Sequence, residues 1–126
     1  MSECMVFFQS DKCNLEDAYQ SLVNYGLTVK LDRNRLLCFR DDSPQFTILL
    51  VTGEHIQHEA VEIARSTPQA RAMNQCDARF EVFFDDLNQV LDEINTLMDV
   101  HGALQDASGG FLFTPWNGNL TEPWEG

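Results

Sequence analysis

The chain has 126 residues, 44% of them hydrophobic and 22% charged, enough to bury roughly two thirds of its unfolded surface without disulfides or a structural metal. Eight basic residues against twenty acidic ones give a formal net charge of −12, which excludes nucleic acid and anionic lipid as natural partners. Cut after Ile63, the halves carry −5 (five Lys/Arg, ten Asp/Glu) and −7 (three against ten), so the acidity is spread along the chain.

The first apolar run, Met5 to Gln9, reads as a strand and has no basic segment ahead of it, so no secretory signal is expected. Ser10, Asp11 and Lys12 form a polar turn. Asn14 then caps a helix whose Leu15, Ala18, Tyr19, Leu22 and Val23 recur at helical spacing, with Gly26 as its stop. From Leu27 the period changes to two. Leu27 to Leu31, Leu36 to Phe39 and Phe46 to Val51 follow one another across the short turns at Asp32-Arg33-Asn34 and Asp41 to Pro44, which predicts an antiparallel meander.

Helical spacing returns over Glu54 to Ser66, where Ile56, Ala60, Val61, Ile63 and Ala64 make a narrow stripe. Thr67-Pro68 opens a short helical piece toward Met73. Ala78 to Phe84 alternates as a fifth strand. Asp85 or Asp86 then caps the longest helix, with a stripe of Leu87, Val90, Leu91, Ile94, Leu97, Met98 and His101 or Leu104. Gly109-Gly110 ends that helix, Phe111 to Phe113 forms a last strand, and Pro115 is expected to stop sheet pairing. The order βαβββαβαβ predicts one α+β domain over 1–126: a mainly antiparallel sheet with helices packed on one face, and an irregular Trp-containing segment 114–126.

The four cysteines, Cys4, Cys13, Cys38 and Cys76, have no metal or redox spacing and read as reduced, packed thiols. No apolar stretch is long enough to span a bilayer, so no membrane partner is expected and the cytoplasm is the expected location. On one helix face, His55, His58, Glu59 and Glu62 fall at i, i+3, i+4 and i+7, a spacing that brings two imidazoles and two carboxylates toward one metal ion. His101 lies near a helix end, where the dipole favours a protonated imidazole. Its place on or beside the apolar stripe favours a packing role. The carboxylate pairs Asp41-Asp42, Asp85-Asp86 and Asp92-Glu93 are explained by a turn, a cap and a solvated helix face.

Trp116 and Trp124 stand in a segment too short to bury both, and tryptophan is enriched in binding surfaces. Small size, acidity and the absence of a catalytic or cofactor motif predict a non-catalytic protein-binding module, inhibitor-like, immunity-like or chaperone-like, for a partner with a basic surface. Trp116, Trp124, Asp92, Glu93 and Asp99 are its candidate contact residues, and no cofactor is expected. The alternative is a small metal-dependent enzyme or metal-binding protein using His55, His58 and Glu62. Homodimerisation through the helix Asp86 to Ser108 or through a free edge strand is compatible with either.

Overall fold

The structure, a computed structural model, describes residues 2–41 and 43–123. Seven strands form one antiparallel sheet in the order β2-β3-β4-β5-β1-β6-β7. They are β1 (Ser2–Phe8), β2 (Thr28–Asp32), β3 (Arg35–Phe39), β4 (Phe46–Thr52), β5 (Ala78–Phe84), β6 (Phe111–Thr114) and β7 (Asn119–Thr121). Five helices accompany them: α1 (Leu15–Asn24), α2 (Glu54–Ala64), α3 (Ala70–Met73), α4 (Leu87–Asp92) and α5 (Ile94–Ser108). The α+β class and the β2-β3-β4 meander agree with the sequence reading.

β1 is an interior strand, between β5 and β6. It pairs with β5 from Ser2↔Phe84 to Phe8↔Ala78 and with β6 from Met5↔Phe113 to Phe7↔Phe111. The connections from β1 to β2 and from β5 to β6 each join parallel strands. Right-handed crossovers starting from antiparallel neighbours and running in opposite directions land on the same face. Accordingly α1, α4 and α5 share one face, where Ala18, Leu22, Val90, Leu97, Val100 and Leu104 pack on Val6, Phe8, Phe46, Ile48, Phe80 and Val82. Phe8 stacks on Phe80 with ring centroids 4.7 Å apart.

The sequence reading places all the helices on one face; the structure puts two of them on the other. α2 and α3 cover part of the opposite one, where Ile56, Ala60, Ala64 and Met73 pack on Met5 and Phe7. The reason is visible in β1: Cys4, Met5, Val6, Phe7 and Phe8 are five consecutive buried residues. A strand apolar at both parities must be covered on both faces. The segment between β4 and β5 is free to do this, since it joins adjacent antiparallel strands at Thr52↔Ala78 and no crossover rule binds it. Gly53 N–H donates to Asp77 O at 3.0 Å and closes the base of the excursion.

Two further differences concern the C-terminal half. The long helix is broken at Glu93, whose φ of −106° and ψ of 47° are not helical, giving α4 and α5. Pro115 does not end the sheet; the turn 115–118 returns the chain as β7, with Phe113↔Leu120 paired. Gln105, buried on α5, holds this hairpin by donating through Nε2 to Gly110 O (3.2 Å) and Thr121 O (3.1 Å). Gly110 is required where α5 turns into β6: a Cβ there would lie 2.6 Å from Phe7 O. No helix among the described residues is long and apolar enough to cross a membrane.

Candidate functional site

Asp86 follows β5 by one residue and caps α4, its Oδ1 accepting from Asn88 N–H at 3.0 Å and Gln89 N–H at 3.4 Å. α4 lasts six residues before the break at Glu93. Val90, Leu97, Val100 and Leu104 are buried, while Leu91, Ile94 and Met98 are 39%, 42% and 61% exposed. These three stand at i, i+3 and i+7 across the α4–α5 junction, and the exposed Asp92 and Glu93 lie between them in sequence.

Single exposed apolar side chains are ordinary, but three close together in sequence and interleaved with carboxylates resemble the centre and rim of a docking surface. After Arg79 the sequence contains nine acidic residues and no Lys or Arg. That cation-free stretch was readable from the sequence and is the signal that marks this end of the chain.

The other candidate contact residues are placed as follows. Asp99, on α5, accepts from Arg40 with Oδ2 2.6 Å from Nη2, and the same guanidinium nitrogen donates to Tyr25 O at 2.7 Å. Asp99 is thereby committed to tying α5 to the β3–β4 connection. The half-buried Trp116 packs edge-on to Phe84, with centroids 5.9 Å apart at 73°, and closes the core at the end of β5 where α4 begins. Trp124 lies outside the described residues. Beside the α4 cap is a cavity of about 220 Å³ lined by Gln45, Thr47, Phe83, Asp85, Asp86 and Gln89, so Asp85 and Asp86 extend the acidic surface toward β4.

His55, His58, Glu59 and Glu62 all sit on the exposed side of α2. Glu59 pairs with Arg79, which also binds Glu81 at 2.6 Å, pinning α2 to β5. Glu62 pairs with Arg65 at 2.6 Å. Both carboxylates thus have cationic partners, and the described residues contain no group of three or more His, Cys, Asp or Glu that could hold a metal ion.

One pairing had no signal in the sequence. Cys4 on β1 and His101 on α5 are both buried, with Sγ 3.2 Å from Nε2. Burial pushes the imidazole down to about 4 and the thiol well above its ordinary range. At neutral pH the pair is a contact between two uncharged groups, and a thiol held protonated is a poor nucleophile. His101 therefore packs, and is not the protonated helix-end imidazole that the dipole argument allowed. Comparison of the chain with protein-family models, with curated proteins and with solved structures gives no match to any of them.

Proposed function

We propose that the protein is a non-catalytic binding module whose α4–α5 surface docks a partner that presents apolar side chains among Lys and Arg. The observation that carries this reading is the exposure of Leu91, Ile94 and Met98, interleaved in sequence with the exposed Asp92 and Glu93, in a stretch of sequence without a single Lys or Arg. The apolar side chains supply burial at the centre of such a contact, while the carboxylates attract a basic partner and reject acidic ones. The four unpaired, buried cysteines support a reducing, cytoplasmic setting.

The test is affinity capture from lysate of the protein's own source, comparing wild type with Leu91→Ser/Ile94→Ser/Met98→Ser and with Asp92→Asn/Glu93→Gln. A stoichiometric partner should be retained by wild type, lost by the apolar triple variant, and weakened both by salt and by charge removal. A partner held equally by all three proteins, or none at any salt concentration, would overturn the reading.

A further inference from the structure

β2 ends the sheet on one side, and among the described residues no strand pairs with its outer edge. The two-residue loop Arg33-Asn34 makes Asp32↔Arg35 the closing pair of the β2–β3 hairpin, and the closing pair of such a hairpin is hydrogen-bonded. Antiparallel pairs alternate, so Leu31 and Val29, opposite Leu36 and Cys38, turn their N–H and C=O groups outward. The Asp32 carbonyl points into the hairpin, so the N–H of the same peptide plane, that of Arg33, points to the free edge. At the other end of the sheet, β7 has three residues and its Thr121 carbonyl is already taken by Gln105.

The side chains along β2 do not close this edge. Leu31 is 59% exposed, and between it, Leu36 and the Leu15 and Tyr19 side chains of α1 is a cavity of about 60 Å³. Lys30 and Asp32, of opposite sign, alternate with Leu31 and project from the other face of the sheet.

We propose that β2 pairs antiparallel with β2 of a second copy of this chain, about a two-fold axis at Leu31. In this register Leu31 meets its own symmetry mate as a hydrogen-bonded pair. The Arg33 N–H of each copy reaches the Val29 carbonyl of the other. Asp32 Oδ2 accepts from Arg35 of its own hairpin at 2.9 Å, and Lys30 of each copy stands opposite the carboxylate of Asp32 of the other, so one alternation of charge is satisfied twice. A register centred on Lys30 would set two lysines face to face, which cross-strand pairs disfavour. One centred on Val29 would leave Lys30 opposite Thr28, with no carboxylate to meet.

Charge complementarity thus points to this register and to a partner strand with the same alternation, which this chain itself supplies. The exposed Leu31 side chains cover one another beside the α1 cavity. The hairpin is also where two acidic chains approach with least repulsion. Residues 30–40 hold four of the eight cations, and Asp32 is the only acidic residue among them.

Sedimentation equilibrium over a micromolar concentration series tests the proposal, together with hydrogen exchange at the Leu31 amide. Wild type should dimerise, with that amide protected in the dimer. Lys30→Asp alone and Asp32→Lys alone each place like charges across the axis and should weaken the dimer by about tenfold or more. The double variant Lys30→Asp/Asp32→Lys should restore it, which loss of folding could not mimic. A wild type that stays monomeric, or a dimer indifferent to both single variants, would overturn the proposal.

Discussion

Cys4 and His101, ninety-seven residues apart in sequence, meet between β1 and the longest helix with Sγ 3.2 Å from Nε2. The folded protein keeps this imidazole neutral down to about pH 4, whereas in the unfolded chain it protonates near its ordinary value of 6.5. The unfolded state therefore binds more protons between those values, and stability falls as pH drops through the window. Down to about pH 4 the loss is on the order of 3 kcal/mol from this group. Denaturant titrations of wild type and His101→Gln should show a shallower pH dependence in the variant. Equal slopes would mean that the imidazole is not held neutral in the folded state.

The α4–α5 junction separates two kinds of leucine. Leu91→Ser and Met98→Ser remove exposed side chains and should change stability by no more than about 0.5 kcal/mol each. Leu97→Ala, one position before Met98, opens a cavity in the core and should cost about 2–5 kcal/mol. Chemical denaturation of the three variants checks the contrast, and a large loss in Leu91→Ser would place that residue in the core.

Gln105 is the polar link between α5 and the last hairpin. Gln105→Ala leaves Gly110 O and Thr121 O without their donor and should cost about 1–3 kcal/mol. Hydrogen exchange should quicken at β7 before it does elsewhere, since this strand has three residues paired on one side only. Uniform exchange across the sheet would count against this role.

At Gly110 the backbone of the α5–β6 turn lies against β1. Gly110→Ala would push a methyl group to 2.6 Å from Phe7 O and 2.8 Å from Val6 Cγ1, and neither can withdraw without disturbing β1. The expected loss is about 1–3 kcal/mol, measured by thermal or chemical unfolding. A neutral substitution would show that this turn has slack.

Much of the architecture is legible in the sequence because its signals are local. Asn14 and Asp86 cap helices where the reading put them, Asn14 reciprocally with Asp17, and the meander follows from period-two runs and turn residues. The second helical layer was also encoded, in the unbroken run Cys4 to Phe8. Its meaning depends on recognising that such a run has no solvent face. The break at Glu93 was not legible, since neither Pro nor Gly lies near it, and nothing local in the sequence accounts for it. The exposure of Leu91, Ile94 and Met98 was hidden in the sequence, where they read as part of the buried stripe, while the acidic residues beside them were readable. The Cys4–His101 contact and the Asp99–Arg40 ion pair were beyond reach for a different reason: sequence spacing says nothing about residues brought together by the sheet.

The position of β1 has a consequence for how the chain reaches its folded state. It is made before either of its neighbours, and β5 and β6 follow only after some seventy and one hundred further residues. Until then a strand with no polar face waits without pairing, while the β2-β3-β4 meander can already close locally. Such non-local pairing slows folding and lengthens the time for which an apolar segment is open to aggregation. The nascent chain is therefore most vulnerable before residue 84 has cleared the ribosome, and this first strand is where a holding chaperone would engage it.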